Sequence, residues 1–151
     1  MYADAAAIEL VSRYVVEPYQ PDPPDPPAQL LSAPSHDPRI MELTERCRSF
    51  LDLPENWNSY RSKRIDETLL KDGLRLLSMV LTPRARTPTV VPTARGGLQI
   101  EWHAPDHDLE IEVHGLGHYR VFHRRDDVEP EEFDVFDNVS AIIPLVRSFP
   151  A

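Results

Sequence analysis

The chain predicts an α+β fold: a four-stranded antiparallel meander over about residues 87–123, packed on two helices at about 38–52 and 67–81. Three observations carry this reading. Apolar and polar residues alternate through Leu98–Trp102 and again through Leu109–Val113, the period of half-buried strands. Upstream, two segments repeat apolar residues at helical spacing, each behind an aspartate suited to capping a helix N-terminus. Short turns, two of them built on Gly96–Gly97 and Gly115–Gly117, separate the alternating runs.

Taken in order, residues 1–17 predict a short helix, with Ile8, Val11, Tyr14 and Val15 on one stripe. Residues 18–36 predict a proline-rich arm, because seven prolines between Pro18 and Pro34 remove amide donors and favour extended polyproline II. The single α+β domain is then expected over 37–151. Asp37-Pro38 starts its first helix, whose stripe is Ile40, Leu43, Cys47, Phe50 and Leu51. Residues 51–66 read as an ordered loop pinned by Trp57 and Tyr60; the alternative exposes Trp57, Tyr60 and Arg61 as a protein-binding hot spot. Asp66 caps the second helix, with Leu69, Leu70, Leu74, Leu77, Val80 and Leu81 buried and Gly73 allowing close packing.

Register within the meander follows from the turns. Ala104–His107 places His103 opposite Asp108, Glu101 opposite Glu110, and Gln99 opposite Glu112. A three-residue loop at Gly115–Gly117 pairs Val113 with Tyr119, Ile111 with Val121 and Glu112 with Arg120; a two-residue turn would turn Tyr119 and Val121 onto the carboxylate face. One face of the sheet is therefore apolar and the other rich in Glu, His and Arg. The acidic run Asp126–Asp137, with seven carboxylates, reads as a solvated connection anchored by its aromatics, or as a lure for a basic partner. A short helix is expected over Val139–Phe149, with Pro144 in its first turn or at a kink.

The net charge of −9 is unevenly spread. Residues 38–87 hold ten bases and seven acids, whereas residues 88–151 hold five bases and twelve acids. A general nucleic-acid binder would show a dominant basic face, so nucleic acid is not the expected partner. The single cysteine, Cys47, cannot form an internal disulfide, which fits a reducing cytoplasm. No apolar run reaches membrane-spanning length, and the N-terminus lacks the build of a signal peptide.

The segments LPENWNSY (53–60), PTVVPTARGGLQIEW (88–102) and LEIEV (109–113) resemble those of a widespread group of small, uncharacterised bacterial proteins. The resemblance covers roughly the middle half of the chain. It implies a bacterial or mobile-element origin and supplies no reaction, cofactor or catalytic residue.

The function expected from these features is a non-enzymatic protein-interaction module: an acidic, antitoxin-like or immunity-like accessory protein whose partner is encoded nearby. The candidate contact residues are Trp57, Tyr60, Arg61, Glu101, Glu110, Glu112 and Arg120. No cofactor is expected. The alternative is a small metal-dependent enzyme or regulator using the Glu/His face, with His103, His107 and Asp108 as candidate ligands. The four histidines from His103 to His118 fall at opposite ends of strands that span roughly 17 Å, too far for one coordination sphere. The exposed edges of the meander leave a homodimer open.

Overall fold

A computed structural model describes residues 37–151; the predicted N-terminal helix and proline-rich arm lie outside the described residues. The fold is α+β, with a five-stranded antiparallel sheet and three helices. Helix α1 (Pro38–Ser49) runs into a 3-10 turn at Phe50–Asp52, and α2 is Glu67–Val80. The strands are β1 (Thr89–Pro92), β2 (Leu98–Ala104), β3 (His107–Gly115), β4 (His118–Arg125) and β5 (Val128–Phe136), adjacent in chain order. A 3-10 turn at Val139–Ala141 precedes α3 (Ile143–Arg147), so the single helix expected over 139–149 is split, with Pro144 in the first turn of α3.

The fifth strand corrects the expectation of a solvated connection. Residues 128–136 pair along β4, with Val135 opposite Tyr119 and Phe133 opposite Val121. The period-two signal is present only at Phe133 and Val135, because an edge strand buries little and the remaining positions are acidic. Asp126-Asp127, with Asp127 at φ 64°, is the turn that feeds it.

Both main helices begin as their capping residues dictate. The Asp37 side chain accepts from Arg39 N at 3.0 Å, and Asp66 accepts from Thr68 N at 2.8 Å. Arg39 also reaches back to the carbonyls of Thr82 and Ala85, tying the start of α1 to the segment after α2. Helix α2 lies on β2 and β3, and α1 packs on α2 and β1. Gly73 permits the approach of α2: a Cβ there would meet Leu98 Cδ2 at 2.7 Å and Val113 Cγ2 at 3.1 Å. The core layer joins Leu98, Ile100, Trp102, Leu109, Ile111, Val113 and Tyr119 from the sheet to Leu70, Leu76, Leu77 and Val80 from α2.

One buried charge sits in this layer. Asp72, only 7% exposed, accepts with Oδ2 from Gly117 N at 3.0 Å and from the Tyr119 hydroxyl at 2.9 Å. Its Oδ1 meets Arg75 Nη2 at 3.0 Å. Three donors, one of them cationic, offset the cost of desolvating the carboxylate. The same bonds hold Gly117 at φ 64° and fix the β3–β4 turn. Val113 pairs with Tyr119 and Glu112 with Arg120 as expected, but the three-residue loop is corrected. Gly115 pairs with His118, so the turn is Leu116–Gly117, and a bulge between Val113 and Gly115 restores the register. Asp72→Ala strands the Gly117 amide and the Tyr119 hydroxyl, so it should cost about 2–4 kcal/mol in urea unfolding. Tyr119→Phe leaves Asp72 with two donors and should cost about 1 kcal/mol.

Candidate functional surfaces

Both helices pack on one face of the sheet, and among the described residues nothing covers the other. Antiparallel register arranges its side chains in rows. The central row runs Thr89, Glu101, Glu110, Phe122, Glu132. On one side lie Val91, Gln99, Glu112, Arg120 and Asp134, and on the other His103, Asp108 and Arg124. Six carboxylates thus face two guanidinium groups.

The outer positions are paired. Arg124 Nε donates to Asp108 Oδ2 at 2.8 Å, and His103 Nδ1 lies 2.9 Å from Asp108 Oδ1. The His103 hydrogen bond, then that of Arg124, holds the Asp108 carboxyl below its ordinary range, while Asp108 and then Glu101 raise the His103 imidazole. His118 Nε2 lies 2.7 Å from Asp134 Oδ1, and that contact is the main reason the Asp134 carboxyl is lowered. Arg120 stands 3.6 Å from Asp134 and 3.8 Å from Glu132.

The centre is only half paired: His103 Nε2 also lies 3.3 Å from Glu101 Oε2, while Glu110 enters no ion pair among the described residues. Glu101 and Glu110 face each other in register, bridged only by the Gln99 amide, which donates at 2.8 Å to Glu101 and 3.2 Å to Glu110. Burial, reinforced by the charge of Glu101, pushes Glu110 above the ordinary glutamate range. Phe122, half-buried on this polar face, flanks Glu110 on the other side. The face is open, and the larger surface recesses, of about 610 and 540 Å³, are lined by other residues. A general acid–base role for Glu101 and Glu110 would require a water-excluding cleft around them.

The predicted candidates separate into two groups. Glu101, Glu110, Glu112 and Arg120 share the open face, whereas Trp57, Tyr60 and Arg61 belong to the loop after α1. That loop is anchored beside the β1–β2 turn, with Lys63 N donating to Ala94 O at 2.9 Å and Asp66 N to Gly96 O at 2.7 Å. Gly96, at φ 91°, is required there, since a Cβ would stand 2.5 Å from Arg64 O. Asn56, Ser59 and Arg61 all adopt positive φ, at 61°, 64° and 63°. Each such non-glycine residue costs on the order of 1 kcal/mol, so the loop must be held by its own bonds. Asn56 Oδ1 accepts from Arg61 N at 2.7 Å, Asn58 Oδ1 from Tyr60 N at 2.8 Å, and Ser62 O from Asn56 N at 2.7 Å. Ser62, 1% exposed, is the buried foot of the loop.

Tyr60 does not pin this loop as expected: its side chain is 85% exposed, because the left-handed residues on either side turn it outward. Trp57 is half-buried, with its indole Nε1 enclosed and unpartnered. The metal alternative is corrected in one respect. His103 and Asp108 are in contact, but His107 has the opposite strand parity and turns to the helix side, where its ring lies 3.9 Å from that of Phe149 and Nε2 meets Ser148 O at 3.1 Å. Among the described residues no group of three His, Cys, Asp or Glu side chains is arranged to hold a metal ion. Asp72, Phe122 and the Asp108–Arg124 pair escaped the sequence reading. Strand alternation through Arg120, Phe122 and Arg124 was a usable sign for the last two; Asp72 gave none. Comparison with protein-family models, curated proteins and solved structures found no match.

Two pH responses follow. The raised pKa of Glu110 means that its proton stabilises the fold at low pH and that this contribution is lost as pH rises through the folded pKa. Glu110→Gln should therefore raise stability near neutral pH by about 0.5–1 kcal/mol, the size of a like-charge cross-strand pair, with the gain shrinking towards pH ~4. His123, 7% exposed, is shifted the other way: burial first, then Arg125, lowers its imidazole, and Nε2 has no partner. Stability from neutral His123 is complete above about pH 6.5 and falls below it as the unfolded chain takes the proton. In thermal melts His123→Leu should gain on the wild type as pH falls from about 7 to 5, whereas parallel profiles would show that His123 does not titrate on unfolding.

Proposed function

We propose that this protein is a non-enzymatic interaction module, an acidic accessory protein of antitoxin-like or immunity-like type that binds a partner presenting a cationic segment. The observation that carries the reading is the centre of the open face. Glu101 and Glu110 are held side by side across a neutral amide, and of the two His103 reaches only Glu101. Glu110, without an ion pair among the described residues, is held above the ordinary glutamate range by burial and by Glu101. A guanidinium or ammonium group laid over this row would relieve the repulsion and meet the Phe122 ring, adding a cation–π contact. Glu112 and Glu132 extend the same field, and Arg120 sets its boundary.

Other features support the reading. The resemblance of the central segments to small bacterial proteins favours a bacterial accessory role, with the partner encoded nearby. A cytoplasmic setting agrees with the lone Cys47, which is fully buried and whose thiol is pushed up to about 11 by burial. Among the described residues no helix is long and apolar enough to cross a membrane.

Affinity capture from a bacterial extract tests the proposal. Wild-type bait should retain a basic protein at low salt and release it as salt rises. Glu101→Lys leaves the sheet intact by pairing with Glu110, and it should weaken retention at least about tenfold, or roughly 1.4 kcal/mol. Equal capture by wild type and Glu101→Lys would remove the open face from the function.

A further inference from the structure

The loop after α1 carries a second surface of opposite sign. Tyr60, Arg61, Lys63 and Arg64 are all exposed, and among the described residues none of these cations enters an ion pair. Arg95, exposed in the adjoining β1–β2 turn, extends the patch, its guanidinium reaching His114 at 3.1 Å. Their backbone is already fixed by the bonds of Asn56, Asn58 and Ser62, so ordering the loop on contact would cost little.

The complement to this patch is on the same chain. Strand β5 is an open edge with Glu129, Glu131, Glu132 and Asp134 exposed along it and Phe136, 64% exposed, at its end. The loop is anchored at the β1–β2 end of the strand order, and β5 closes the other. With strands about 4.8 Å apart, the two edges are separated by roughly 19 Å, which prevents them from meeting within one molecule. Symmetric edge pairing is disfavoured on both sides. Two β5 strands would oppose carboxylate to carboxylate, and β1 is four residues long with Pro88 before it and Pro92 at its end.

We infer that the protein associates with a second copy of itself head to tail, the Tyr60–Arg64 loop of one molecule docking on the acidic β5 edge of the next. The contact is heterologous, so it propagates or closes into a ring according to the rotation between copies. Lys63 and the two arginines meet Glu129 and Glu131, and Tyr60 supplies apolar area next to Phe136. None of the carboxylates proposed to receive the cationic partner at the centre of the open face, Glu101 and Glu110, takes part, so the two surfaces can be tested apart.

Sedimentation velocity or light scattering on the purified full chain decides the matter. The wild type should associate with rising concentration at low salt and dissociate as salt screens the contact. Arg61→Glu/Lys63→Glu/Arg64→Glu should weaken association at least about tenfold, as should Glu129→Lys/Glu131→Lys, and mixing the two variants should restore it because their unaltered surfaces and reversed surfaces each match. Tyr60→Ala should weaken association without altering charge, and circular dichroism confirms that each variant is folded. A wild type that stays monomeric at every concentration, or association indifferent to both reversals, overturns the inference. So does a monomer whose loop retards a single-stranded oligonucleotide at low salt, which would assign the patch to nucleic acid.

Discussion

The Asp72 carboxylate is the constraint on which the architecture rests. It lies in the α2–sheet interface, where an ion is tolerable only if its lone pairs are filled, and the groups that fill them come from the β3–β4 turn, from β4 and from the helix itself. Satisfying that charge positions α2 on the sheet and holds the β3–β4 turn. Once the turn is set, strand periodicity leaves β4 no freedom: Tyr119 and Val121 must face the helices, and Arg120, Phe122 and Arg124 must face away.

The rest of the surface chemistry follows from that division. The helix side takes up nearly all the large apolar residues, so the opposite side holds whatever charge the strands carry. Six carboxylates and two arginines are more than local pairing can balance. The edges are reconciled through Asp108–Arg124, His103 and His118–Asp134, and the residual repulsion is left between Glu101 and Glu110. A carboxylate pair of this kind weakens the isolated fold slightly while leaving a place where a cation is welcome, a trade often seen where stability yields to binding. Strain in the loop after α1 is a parallel case, since three left-handed residues are maintained by asparagine side chains only to hold an aromatic and three cations in solvent.

Much of this was legible in advance. The cross-strand pairs Glu101–Glu110, His103–Asp108 and Glu112–Arg120 follow from matching apolar to apolar positions across alternating strands, although the last is set by a bulge between Val113 and Gly115 and not by a three-residue loop. The fifth strand was hidden because an acidic edge looks like a solvated linker when nothing reveals the neighbour that pairs with it. His107 was grouped with His103 by proximity in the chain, although the parity that separates them was available. Tyr60 was misplaced because an aromatic beside Trp57 suggests burial, and the positive φ angles at Ser59 and Arg61 have no signature in those residue types.

By itself the amino-acid sequence determined the α+β class, the helix starts at Asp37 and Asp66, the register of β2 through β4 and the sign of the charge on each strand face, all properties of local periodicity and capping. Only the tertiary structure decided that Asp72 is buried, that β5 closes one edge of the sheet, that the basic loop sits beside the other, and that Glu110 is held above its ordinary pKa. Each depends on contacts between residues far apart in the chain, or on burial beneath elements whose approach no short-range pattern encodes.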